Sequence, residues 1–566
     1  MKRIFYILFL ISQIGHAAPV AVIRANGLNS LTLTLPCYTQ KDDGLDAFTL
    51  NGRYSTGAVS YLFTKTSGPS CIIMNPTDLD TRVTKLVQGT YVFNLQVTDG
   101  VGATSNASVT VTVNAAATPA AITVDTIGTY GSTGGDLVYT GAANKICYIR
   151  AGTYHSFYSN SVKNVKFKPI GGQVIINSDI YYAFRFSDNY STNITIDGSG
   201  IPGVTYGFKI FGPAVSDAAL IFKDSSRNRT IRYVEVIGGY NGGTGGEGIG
   251  LQIYPSIILD TTTANLLLTR QNGFTQGNDT VENCYVHGTW TEGLYGGPSH
   301  HGDKTYNLYT GYFTESGPDT GCYRYNTFDT LGQAGFDLGS AWYANCSYNN
   351  FWHFGLRNNT GHVGGINLNA GSNAWIEGND FWGTASYSTL TQGIACQGVG
   401  GWILNNTFTG CERALILLRN TDVTDSRSVP DLYIYNNTFN SNNYGWDVYS
   451  SNYAASGIHI KNNIFSGNTN NFTSSVGGYT AIDSSNNVYS STTAAINYQN
   501  SSSRNYQLTA TSPSYTQSGG LNFSSLFTKD KALVTRTSWN PGAYMYIIPG
   551  VPVIVPTKLR KRIKFH

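Results

Sequence analysis

The sequence predicts an all-β protein in which a parallel β-helix follows a small antiparallel β-sandwich. Three observations point there. Between about Pro19 and Asn114, apolar and polar residues alternate with period two. Beyond Ile122, an asparagine followed two residues later by an aromatic recurs at steps of 23 to 43 residues. Charged residues make up only 12% of the chain, against about 25% in an ordinary soluble protein. The 64 glycines and 39 tyrosines suit a turn-rich, neutral polar surface.

The chain opens with MKRIFYILFLISQIGHAAPV: a basic start, an apolar run from Ile4 to Ile14, then small residues at Gly15 and Ala17. That layout is a signal peptide over residues 1–17, so the protein is expected to be secreted or at the cell surface. The run is too short to span a bilayer, which takes about 20 apolar residues, and no later stretch qualifies. Loss of Lys2 and Arg3 lowers the formal charge from +3 to +1. Five Lys or Arg in KLRKRIKFH (Lys558–His566) make residues 547–566 a basic tail. Nothing in this balance points to nucleic acid as the main partner. The eight cysteines are too sparse for a disulfide framework and show no metal spacing. Cys37 with Cys71, and Cys322 with Cys346, are the pairs that proximity could bring together, with buried free thiols the equal alternative.

Residues 18–114 form the predicted sandwich. GTYVFNLQVTDGVGATS places Tyr91, Phe93, Leu95 and Val97 on one face and turns at Asp99-Gly100, after which Val109, Val111 and Val113 resume the alternation. SYLFTKTSGP and GTYVFNLQVTDGVGATS resemble the PKD family of immunoglobulin-like modules, with Phe63 where that family usually has Trp. The resemblance implies a spacer or binding attachment rather than catalysis. AAATPA lies in the linker, residues 115–121.

Residues 122–546 carry the repeat. It runs NCY (Asn283), NTF (Asn326), NNF (Asn349), NDF (Asn379), NTF (Asn406), NTF (Asn437), NIF (Asn463) and NVY (Asn487). A second element follows each of the first six: EGLY (Glu292), AGFD (Ala334), GGIN (Gly364), QGIA (Gln392), RALI (Arg413) and YGWD (Tyr444). An earlier copy, EGIG, begins at Glu247. Strands stacked at about 4.8 Å per turn would bury the aromatics in a narrow core and let the asparagines form a ladder along a bend. Leucine-rich repeats are excluded, because regular leucines and helices are missing. The pattern resembles the right-handed parallel β-helix of the pectate-lyase-like superfamily, with CYIRAGTYHS similar to its first coil and NPGAYMY to a closing segment of secreted members. That resemblance implies a polysaccharide partner, and its superfamily contains lyases, hydrolases, epimerases and adhesins.

The repeat is also a ruler. It lengthens at residues 252–279 and after Asn283, where TEGLYGGPSHHGDK lies, and extra loops of this kind would wall a cleft. His287, His300, His301, His353 and His362 cluster here in a chain poor in charge. Treating residues 252–279 as a loop puts Glu247 and Glu292 about 5 Å apart on adjacent turns. Carboxylates so close must share a proton or a cation. In one reading Glu247, Glu292 and Asp337 hold Ca²⁺, Lys304 or His301 removes a proton, and Tyr295 or His300 protonates the leaving oxygen. Asp303, Arg357 and His353 would then bind an acidic glycan cleaved by β-elimination. The alternatives are a glycoside hydrolase using paired carboxylates and a non-catalytic glycan-binding surface protein or adhesin. Each residue also has a plain scaffold role, such as Glu292 capping a turn or Asp337 standing in solvent. Outward rings from FWHF (Phe351–Phe354) and DFWG (Asp380–Gly383) would add sugar-stacking surface.

Overall fold

The computed structural model describes residues 18–547, apart from 35–46, 116–122, 239–248, 255–278, 297–319, 419–430 and shorter breaks. The signal peptide, Cys37 and all but the first residue of the basic tail lie outside the described residues. The chain divides into two compact units, residues 1–120 and 121–566. Among the described residues no helix is long and apolar enough to cross a membrane.

The first unit is a sandwich of two four-stranded sheets. Its long hairpin pairs Gly89–Thr98 with Thr104–Asn114. Alternation buries Tyr91, Phe93, Leu95 and Val97 completely, together with Val109, Val111 and Val113. Phe63 fills the same core and is 1% exposed. Asp99 closes the turn by accepting from the N–H groups of Val101 and Ala103 at 3.0 and 2.8 Å. One pair departs from the antiparallel expectation, because Ser30–Thr34 runs parallel to Thr104–Asn114.

The second unit is a parallel β-helix. Each full coil has three strands, as in Asp279–Glu282, Tyr285–Thr289 and Leu294–Gly296. First and second strands belong to a 24-stranded assembly, and third strands to a 12-stranded sheet. Like strands of successive coils pair in parallel. Between first and second strands the chain bends at a left-handed residue, with φ of 57° at Tyr325 and 55° at Asn405. The next residue forms the asparagine ladder. Asn349 Oδ1 accepts from both the backbone N–H and Nδ2 of Asn326 at 3.0 Å, while Asn349 Nδ2 donates to the Tyr323 carbonyl. The pattern continues through Asn379, Asn406, Asn437 and Asn463 to Asn487.

Two residues further on, the rings stack. Phe381 to Phe408 spans 4.7 Å at 4°, and Phe439 to Phe465 spans 4.6 Å at 3°. The glycine of the second element is what lets the third strand approach these rings. A Cβ on Gly365 would sit 2.5 Å from Phe381 and 2.8 Å from the Gly393 carbonyl; one on Gly293 would sit 2.5 Å from Phe328.

The register bears on three sequence-based expectations. In the first repeat the ladder position belongs to Cys284, whose N–H donates to Asn326 Oδ1 at 2.9 Å, and Val286 stacks beneath Phe328. Asn283 is instead the left-handed bend residue, φ 54°, so Tyr285 points outward. Second, Leu251 pairs with Leu294, which places Ile249 opposite Glu292; Glu247, the other half of the predicted stack, lies outside the described residues. Third, Cys322 pairs with Asn345 and Tyr323 with Cys346. Alternation then sends the two side chains to opposite faces, and among the described residues no disulfide joins them or involves Cys71.

The chain after the last coil returns along the bend. Asn405, Asn436 and Asn462 donate to the carbonyls of Lys529, Asn540 and Leu521. Outside the first strands, early coils carry alternating charges. Asp197 meets Arg232 at 2.8 Å and Lys166 at 3.0 Å, and Glu282 meets Arg324 at 3.0 Å. Later coils carry a half-buried ring ladder of Trp375, Trp402, Tyr433 and His459.

Candidate functional site

The outward side of the second strands is where titratable groups collect. Parallel register sets two columns there, one through Lys209, Glu235 and Tyr285, the other through His287, Asp329, Trp352 and Trp382. Adjacent members stand one coil apart, so the five coils from Lys209 to Trp352 span about 20 Å.

His353 follows Trp352 at a left-handed corner, φ 49°. Its Nδ1 lies 2.6 Å from Asp329 Oδ1, and its ring rests 4.5 Å from Trp382. A carboxylate only accepts, so Nδ1 is the donor, which leaves Nε2 as the lone-pair nitrogen of the neutral ring. The side chain is 33% exposed, against 17% for Asp329. This is a base held in one tautomer on an open surface.

One coil further towards the N-terminus, His287 Nε2 lies 3.1 Å from Glu235 Oε1, which also meets Lys209 Nζ at 3.3 Å. Burial alone would raise Glu235, but the bond from His287 and the charge of Lys209 outweigh it and hold the carboxyl below its usual range. Tyr285 stacks on His287 at 4.1 Å. Burial, then the charges of Asp329 and Glu235, push its hydroxyl far above the ordinary tyrosine value, so it stays protonated.

On the C-terminal side, Asp380 accepts from Trp352 Nε1 at 3.2 Å and Thr407 Oγ1 at 2.7 Å. Arg504 Nε approaches it at 3.3 Å, and the guanidinium lies 4.9 Å over Trp352 and 4.2 Å over Trp382. Burial opposes ionisation of Asp380, yet the charges of Lys531 and Arg504 and these bonds keep its carboxyl below the usual range. The strip thus offers a positioned imidazole, a protonated phenol, a fixed cation and two indoles.

Of the residues singled out in the sequence, the structure brings His353 into this strip, with the outward tryptophans of FWHF and DFWG. Phe351, Phe354 and Phe381 point inward and are fully buried. Arg357 stands at the next corner, its guanidinium 4.2 Å over Trp290. Glu292, Tyr295 and Asp337 belong to the third-strand side. Glu292 is 6% exposed and lies between Ile249 and Ala334 in register. Tyr295 packs against Ala218 and Ile221. Asp337 pairs with Tyr295 and Asn367 and is 1% exposed, not in solvent as expected. Glu292 and Asp337 are one coil and three residues apart, about 10 Å along the strand direction. Among the described residues no three His, Cys, Asp or Glu cluster as metal ligands, and Glu247, the third member of the predicted calcium site, lies outside them. Glu247, His300, His301, Asp303 and Lys304 lie outside the described residues.

Sequence reading missed Glu235, Asp329, Asp380 and Arg504. The repeat would have found one of them: three residues after each ladder asparagine falls on the outward column, which gives Asp329, Trp352 and Trp382. Asp380 follows Asn379 directly and Glu235 lies before the first recognised repeat. Arg504 comes from the chain end, beyond any periodicity.

Among solved structures, the crystal structure of pectate lyase Pel9A is 12% identical, with 72% of this chain and 89% of that chain covered and a TM-score of 0.35. The solution structure of the PKD domain from KIAA 1837 protein is 35% identical over 16% of this chain and 86% of that chain, TM-score 0.14. No curated protein matches the chain. Residues 44–113 match the model of a PKD domain family. The N-terminal sandwich of this chain is therefore a PKD-like module.

Proposed function

We propose that this protein engages a polysaccharide along the outward strip of its second strands and cleaves an acidic glycan there by β-elimination. The observation carrying this reading is the 2.6 Å Asp329–His353 pair on an accessible face beside Trp382 and Arg504. The two indoles and the guanidinium suit sugar C–H faces and a uronate carboxylate. His353 Nε2 would take the proton from the carbon next to that carboxylate. The C–H electrons form the new double bond as the bond to the glycosidic oxygen breaks. A water molecule would return a proton to the leaving oxygen.

The test is a panel of uronic-acid polymers followed by ultraviolet absorbance of unsaturated ends. Absorbance should rise with at least one polymer, and His353→Ala should slow it by about 10²–10⁴-fold. Silence with every polymer would reject elimination. Stable glycan binding without product would then favour the non-catalytic surface protein.

A further inference from the structure

The inward ring column runs from Phe328 to Tyr489, with successive centroids 4.6 to 5.4 Å apart and planes within 16°. Each intermediate phenylalanine is fully buried between two others. Tyr489 ends the column with only Phe465 stacked against it, and it is 52% exposed. The asparagine ladder ends in the same place: Asn487 accepts from Asn463, and no described asparagine beyond it continues the series. Scaffold periodicity therefore stops with an aromatic face still open.

That ring lines a cleft of about 500 Å³, a volume within the roughly 300–1,000 Å³ typical of small-molecule sites. Tyr515, 55% exposed, stands among its other walls, and Asn486, Ser514 and Ser518 supply neutral polar groups. The walls are held in place. Asn486 Nδ2 donates to the Gly519 carbonyl at 2.6 Å, and Asn487 Nδ2 donates to the Ile460 carbonyl at 2.8 Å. Among the described residues no charged side chain lines the cleft.

We infer that this end cleft is a second binding site that takes a neutral saccharide. A pyranose has an apolar C–H face that would lie on Tyr489 at nearly the spacing of the rings below it. Its hydroxyls would exchange hydrogen bonds with Asn486, Ser514 and Ser518, and Tyr515 would cover an edge. An acidic sugar would find no partner here, whereas the second-strand strip offers Arg504. The inference borrows only the saccharide class from the proposed function, and the two sites differ in the charge they accept.

Calorimetric titration of the full chain with cellotetraose, maltotetraose and mannotetraose tests it, with tetragalacturonate as the acidic probe. At least one neutral probe should bind with Kd of about 1 mM or tighter. Tyr515→Ala should weaken that binding about tenfold without shifting the melting midpoint, because the ring is exposed. His353→Ala should leave neutral binding unchanged. The inference fails if no neutral probe binds, or if Tyr515→Ala binds as well as the parent. Loss or absence of tetragalacturonate binding alone would count against the second-strand strip and not against the cleft.

Discussion

The second-strand face carries the same two outward columns along its length, yet its two halves differ in chemistry. From Glu235 to Trp382 the columns hold three carboxylates, an imidazole, a phenol and two indoles beside Ile237, Thr327 and Asn350. From Thr407 to Ser466 they hold short hydroxyl and amide side chains, Ile464 excepted. The later half is closed by the returning chain: Thr409 Oγ1 meets the Tyr506 hydroxyl at 2.5 Å, Thr493 Oγ1 donates to Asn440 at 2.8 Å, and Ser466 meets Tyr498 at 2.9 Å. Where the face is covered, its residues answer to packing and hydrogen-bond satisfaction. Where it is open, the scaffold needs none of the ionisable groups it carries, and their pairing is better explained by a ligand. Arg504 marks the boundary, projecting from the returning chain onto the last two tryptophans.

The contrast can be broken at several points. The largest expected effect is on turnover. Asp329→Ala, which removes the acceptor fixing His353, should lower elimination by about 10²-fold or more, while Thr409→Val in the covered half leaves the rate per folded molecule unchanged. A matched loss in both would show that the halves do not differ in function.

A second prediction addresses stability. Asn406→Ala strips the acceptor from the buried Asn379 N–H and the donor from the Ile376 carbonyl. It should cost about 2–5 kcal/mol in urea unfolding, against less than about 1 kcal/mol for the outward Asn350→Ala.

A third uses the charge ladder outside the early first strands. Burial resists ionisation of Asp197, but bonds from Arg232, Ser199 and Lys166 hold its carboxyl far below the ordinary range. Its contribution is therefore complete at neutral pH, above the unfolded value near 4. It is lost only as pH falls through the lower folded value. Asp197→Asn should destabilise the protein by about 2 kcal/mol at pH 7, and the difference from the parent should shrink in strong acid. The smallest effect is on affinity: Trp382→Ala should weaken acidic-glycan binding about tenfold, measured by titration at fixed salt.

The fold was legible because its determinants repeat. A buried amide ladder and a ring stack both require one residue type at one place per coil, so Asn326, Phe328 and their successors stand out against a varied background. The site was harder to read for the same reason. Its residues occupy outward positions that packing leaves unconstrained, so Glu235 and Asp329 form no motif, and Arg504 meets them only because the chain doubles back. Glu292 illustrates the converse: it stood out beside a repeated glycine, but that glycine serves the approach of backbone to Phe328.

The most direct measurement is residue-resolved oxidative footprinting with a uronic-acid oligosaccharide bound. Trp352 and Trp382 should be protected, while Trp375 and Trp402, half-buried on the first-strand side, react as in the free protein. Protection of Trp375 and Trp402 instead, or of none of the four at saturating ligand, would contradict the assignment of the open strip.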